Sequence, residues 1–210
     1  MAQDSSIKNL IFDLGGVILD LSVERTLQSF ADISGLKKER VKELFISSKG
    51  FLDYEKGEIG DEEFRSFVRE LYSVQVDDKA LDVSWNAMLL GIPQHKLDLL
   101  ISLKAKFNVY LLSNTNNIHL NYINDQIMTP VFGEPSLDRY FHKAYYSHYM
   151  KKRKPDANIY EQVLDENNLK PHETLFLDDN ADNIAGANAL GIRTVHVVTP
   201  DHIITYFNGK

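Results

Sequence analysis

Apolar residues along this chain fall into short continuous runs separated by segments with helical spacing. The first run, Leu10-Ile11-Phe12, is stopped by Asp13 and the Gly15-Gly16 pair. Apolar side chains at consecutive positions predict a strand buried on both faces, as in parallel sheets. The predicted strand covers residues 7–13, and comparable runs predict strands at 107–112, 144–146, 174–177 and 194–198. Between them, Leu97, Leu100 and Ile101 lie on one helical face. Ile159, Tyr160, Val163 and Leu164 lie on another, behind Asp156 as its N-cap. Residues 183–190 predict a helix closed by Gly191, the residue type favoured just past a helix end. From Gly91 onward strands and helices alternate, which predicts a parallel sheet with helices on both faces.

Residues 19–90 break that alternation. Val41, Leu44 and Phe45, then Phe64, Phe67, Val68 and Leu71, keep helical spacing on either side of a turn at 56–60. No strand is predicted between Leu21 and Leu90. The fold class is therefore α/β, with a helical insertion after the first strand.

Composition narrows the function. A net charge of −7 argues against nucleic acid or an anionic membrane surface as the main partner. The chain has no cysteine, which excludes disulfides and thiolate catalysis. No apolar run approaches the roughly 20 residues that span a bilayer, and the first residues do not resemble a secretory signal. A cytoplasmic protein, monomeric or homodimeric, is the expectation.

Three predicted strands end in polar residues: Asp13, Ser113-Asn114 and Asp178-Asp179. In a parallel sheet these ends share one edge, where ligands bind in open α/β folds. Lys154 precedes a predicted helix and can reach the same edge. Three carboxylates there would repel one another without a cation, and oxygen ligands of this kind suit Mg²⁺. The Mg²⁺ would draw a phosphate toward an anionic nucleophile, with Lys154 and the Ser113 hydroxyl binding its other oxygens. Each residue also has a plainer reading. Asp13 would serve as a turn cap, Asp178 or Asp179 as a helix cap, and Lys151, Lys152 and Arg153 as a solvated face. The seven histidines show no metal-ligand spacing. Trp85 reads as core, Phe51 as packing, and His119 as a residue near the second motif.

The segments IFDLGGVI, LLSNT, KKRKPDANIY and TLFLDDNADNIAGANALGIRTV, in this order, resemble the four motifs of the haloacid dehalogenase-like hydrolases. The similarity is to the branch with a helical cap after the first motif, near sugar-phosphate phosphatases with glycine two residues past the nucleophile. It implies a Rossmann-like core of residues 1–18 and 91–210 and a cap of residues 19–90. It further implies Asp13 as the nucleophile that forms a phosphoaspartyl intermediate, and Ser113 and Asn114 as phosphoryl-binding residues. Lys154 would offset charge. Mg²⁺ would be held by Asp13, the Gly15 carbonyl and Asp179, with Asp178 a ligand or its support and Asn183 backing the shell. The expected activity is Mg²⁺-dependent hydrolysis of a small phosphorylated metabolite such as a sugar phosphate.

Gly15 departs from relatives that carry an aspartate there as general acid and base, a function worth about 10²–10⁴-fold. A cap residue or water must carry the proton instead, or the leaving group must need little help. Otherwise the protein binds a phosphometabolite with weak or no turnover. Less favoured alternatives are a 2-haloacid dehalogenase, which needs no metal, and a phosphomutase.

Overall fold

In the computed structural model, which describes residues 6–209, the first strand is β1 (Asn9–Phe12). It sits at the centre of a five-stranded parallel sheet. In chain order the elements are β2 (Asp20–Leu21), α1 (Val23–Ser34), α2 (Lys38–Ser47), α3 (Gly50–Glu55), α4 (Asp61–Tyr72), α5 (Asp78–Asn86) and β3 (Leu89–Gly91). Then come α6 (Gln94–Lys104), β4 (Asn108–Ser113), α7 (Asn117–Tyr122), β5 (Lys143–Tyr146), α8 (Ser147–Met150) and α9 (Ala157–Glu166). The chain closes with β6 (Thr174–Asp178), α10 (Ala181–Ala189), β7 (Arg193–His196) and α11 (His202–Asn208).

The sheet order is β5-β4-β1-β6-β7. β1 is hydrogen-bonded on both edges, with Phe12 level with Leu111 of β4 and Leu177 of β6. That register explains the unbroken apolar runs. Leu10, Phe12, Val109, Leu111, Leu175 and Leu177 join one core, while Ile11, Tyr110, Leu112 and Phe176 join another on the opposite face. Helix α6 packs on the first face, and α9 and α10 pack on the second.

Helices α1–α5 bury their apolar stripes against one another in a third, separate core. Its centre is aromatic: the ring of Phe51 stands 5.9 Å from Phe64, 5.2 Å from Phe67 and 5.5 Å from Trp85. Burying rings of this size is the main source of stability available to so small a unit. Ile118 of α7 also joins this core, so the helices rest on the sheet's loops.

Three expectations need correction. The chain does form strands at the borders of the helical block: β2 and β3 pair antiparallel, Asp20 opposite Gly91. Strands of two and three residues leave no periodicity to read, and the pairing joins residues about seventy positions apart. Second, Asp156 occupies the N-cap of α9 without a side-chain capping bond. Third, α10 is capped by Asn180, which accepts from the N–H groups of Asp182 and Asn183, so neither Asp178 nor Asp179 has that task. Among the described residues no helix is long and apolar enough to cross a membrane.

Candidate active site

Parallel register brings Asp13, Ser113 and Asp178 to one edge, because β1, β4 and β6 end level with one another. The backbone N–H of Asp13 donates to Leu177 O at 2.9 Å, so the ladder holds the residue just past the strand. Gly16 then turns the chain at φ +72°, and a Cβ there would stand 2.3 Å from Asp179 Oδ2. Only glycine lets the loop pass that close to the Asp179 carboxylate.

Lys154 joins the strand ends. Its Nζ donates to Asp13 Oδ1 at 2.6 Å and to Asp178 Oδ2 at 2.7 Å, and the side chain is buried. Asn114 fixes the lysine's backbone from both sides. The Asn114 amide donates to Lys154 O at 2.9 Å and accepts from Lys154 N at 2.9 Å. The side chain expected to bind a phosphoryl group thus also holds the Lys154 backbone. The Ser113 hydroxyl is buried and makes only a 3.5 Å contact, to Asn114 O.

Asp13, Asp178 and Asp179 each place a carboxylate oxygen within 4.8 Å of the others. Their environments differ. Asp178 is fully buried; Oδ1 accepts from Asn180 N and both oxygens accept from Asn183 Nδ2, besides the bond to Lys154. Asp179 is exposed, and Lys154, its own backbone N–H and His196 favour its charge. Burial, opposed by Lys154 and reinforced by Asp178, lifts the Asp13 carboxyl to about 7. Burial and the Asp178 charge raise Asp179 as well. On Lys154 burial works the other way, yet the two carboxylates outweigh it and raise the ammonium's pKa. When ionised, three carboxylates outnumber the one ammonium beside them, and a divalent cation fits that set of oxygen donors.

Above this cluster lies a cavity of about 350 Å³. Its floor is Asp13, Ser113 and Lys154, and part of its wall comes from α-helical residues Phe45, Glu55 and Trp85. Sequence reading missed two of its charged groups. Arg153, expected as solvated, sends Nε and Nη2 to Glu55 Oε2 at 3.3 and 3.1 Å, so a side chain at the end of α3 is clamped beside the carboxylate edge. Burial raises the Glu55 carboxyl despite Arg153. His119 does reach the cavity wall, but its ring is occupied. Nε2 lies 3.2 Å from Trp85 O, Nδ1 lies 3.2 Å from Asn116 Nδ2, and the ring stacks on Trp85. Phe51 and Tyr54 are buried, Tyr54 through a 2.7 Å bond to Asp61.

A fold of this topology, with acids at the first and fourth motif and a lysine between them, defines a hydrolase class. The model of the haloacid dehalogenase-like hydrolases matches residues 7–191, and the chain belongs to that family. The D-ribitol-5-phosphate phosphatase of Bacteroides thetaiotaomicron is 29% identical over 191 residues, covering 90% of each chain. A crystal structure of a family enzyme from the same organism, bound to magnesium and inorganic phosphate, superposes with TM-score 0.81 at 40% identity, over 90% of this chain and 93% of that one. A family hydrolase structure from Porphyromonas gingivalis gives 0.85 at 31% identity, covering 98% of this chain and all of its own.

Proposed function

We propose that the protein is a Mg²⁺-dependent phosphatase of small phosphorylated metabolites, of the sugar- or polyol-phosphate kind, acting through a phosphoaspartyl intermediate. The observation that carries this reading is the clustering of the Asp13, Asp178 and Asp179 oxygens, two of the three carboxylates being bonded to one buried ammonium. Relatives that are phosphatases or that hold magnesium and phosphate support it.

The residues that hold Mg²⁺ in this reading are Asp13, Asp179 and the Gly15 carbonyl. Asp178, with every bond satisfied by protein groups, orients Lys154 and supports the shell. The bound ion supplies charge neutralisation to phosphate and carboxylate alike. Asp13 attacks phosphorus with its free oxygen, while Lys154 favours its ionised form against burial and the Ser113 hydroxyl binds a phosphoryl oxygen. Asn114 acts through Lys154 by holding its backbone. The alcohol departs into the cavity, and water then hydrolyses the aspartyl phosphate. Residues 19–90 act as the cap: they wall the cavity through Phe45, Glu55 and Trp85 and exclude bulk water from the reacting group.

A screen of phosphorylated metabolites for phosphate release, with and without Mg²⁺, tests this reading. Turnover of a polyol or sugar phosphate that disappears in excess chelator supports it. Equal release with chelator present counts against it.

A further inference from the structure

The family's usual proton carrier is absent at Gly15, and the Leu21 side chain occupies the space it would take. A Cβ at Gly15 would meet Leu21 Cδ1 at 2.5 Å. A side chain that protonates the leaving alcohol in its place belongs elsewhere in the cavity. Its remaining ionisable side chains are Asp13, Glu55, His119, Arg153, Lys154 and Asp179. Asp13 is the nucleophile and Asp179 a metal ligand in the reading above. Lys154 is bonded to two carboxylates. Arg153 does not release a proton in this pH range. Both ring nitrogens of His119 lie against Trp85 and Asn116. Among the lining side chains, Glu55 is left.

Its placement suits the task. Both Arg153 bonds fall on Glu55 Oε2, which leaves Oε1 outside the fork. The carbonyl of Glu55 accepts from Ser147 Oγ at 2.6 Å, tying the end of α3 to the first residue of α8. The charged groups that face Glu55 are Arg153 and, further off, Lys154; both favour the carboxylate, and burial outweighs them.

We propose that Glu55, on the helical insertion, is the general acid and base of this enzyme, in place of the missing side chain at residue 15. The proposal rests on the phosphatase reading. An Asp13 oxygen bonds to phosphorus as the phosphorus–ester oxygen bond breaks, and the departing oxygen takes the proton of the Glu55 carboxylic acid. The Glu55 carboxylate then removes a proton from water. The water oxygen bonds to phosphorus, the acyl phosphate bond breaks, and Asp13, protonated Glu55 and inorganic phosphate remain. Because the acid sits on the insertion, cleavage requires that the insertion be seated on the core.

The test compares kcat/KM for ribitol 5-phosphate, whose alkoxide needs a proton, with p-nitrophenyl phosphate, whose phenolate leaves without one. Glu55→Gln keeps an acceptor for Arg153 and removes the proton. It is expected to lower kcat/KM for ribitol 5-phosphate by about 10²-fold or more and for p-nitrophenyl phosphate by less than about 10-fold. Its alkaline limb for ribitol 5-phosphate should flatten, and Glu55→Asp should recover part of the rate. The ratio of the two substrates is taken on one preparation, so partial unfolding cancels. Equal losses on both substrates, or none, with Asp13→Asn inactive in the same assay, would overturn the role of Glu55 while leaving the phosphatase reading standing. An active Asp13→Asn would overturn both.

Discussion

Leu21 Cδ1 stands 2.5 Å from the point that a Cβ on Gly15 would occupy. Leu21 belongs to β2, the two-residue strand that leads into the helical insertion, and its side chain lines the catalytic cavity. The volume that a side chain at residue 15 would need is already filled by an apolar group. Gly15→Asp is therefore expected to cost about 1 kcal/mol of stability, the low end for overpacking because Leu21 is flexible and partly exposed. In a Leu21→Ala background the same substitution should cost almost nothing. Thermal or urea melts of the four proteins measure the coupling, and strictly additive penalties would contradict the contact.

Lys154 neutralises two buried carboxylates, so removing it leaves charges without a partner. Lys154→Met is expected to destabilise the metal-free protein by about 3–5 kcal/mol and to abolish measurable turnover. A second substitution, Asp13→Asn, should recover part of that stability, because one orphaned charge is gone. A urea titration of the single and double variants checks the sign of the recovery.

His119 gives the fold a defined acid sensitivity. Burial lowers its pKa from 6.5 to about 4, so the folded chain keeps the ring neutral while the unfolded chain protonates it below 6.5. The stabilisation from a neutral His119 is complete above pH 6.5 and is lost as pH falls toward 4. At about 1.36 kcal/mol per pH unit, the interval amounts to about 3 kcal/mol. His119→Asn should flatten this part of the stability–pH curve, as measured by denaturant unfolding between pH 4 and 7.

Trp85 belongs to two structures at once. It packs among Phe30, Phe51 and Phe64 of the helical core and also lines the catalytic cavity. Trp85→Ala is expected to cost about 3–5 kcal/mol, as for other buried aromatic truncations. As the only tryptophan, it should also change its emission when inorganic phosphate and Mg²⁺ enter the cavity. A titration with no change in emission would place the bound phosphate away from Trp85.

The parts of the site legible in sequence were those written within single strands. Leu10-Ile11-Phe12 running into Asp13, and Leu175-Phe176-Leu177 into Asp178-Asp179, announce buried strands with carboxylates at their ends, and parallel register puts them side by side. The parts that were not legible depend on pairs far apart in the chain. Glu55 and Arg153 are 98 residues apart, and neither carries a local signal that separates it from a solvated charge. Asn114 reads as a loop amide beside a serine, and only its two bonds to the Lys154 backbone, 40 residues on, reveal a positioning role. The β2–β3 pair was invisible for the same reason, since strands so short have no pattern of their own.

In the proposed mechanism Asp13 accepts the phosphoryl group. Acid quenching of the enzyme during turnover of radiolabelled substrate, in the presence of Mg²⁺, tests this most directly. The expected result is a protein-bound label that is stable in acid, released by hydroxylamine, mapped to the peptide containing Asp13, and absent from Asp13→Asn. Turnover at an undiminished rate by Asp13→Asn, or a label mapped to another residue, would contradict it.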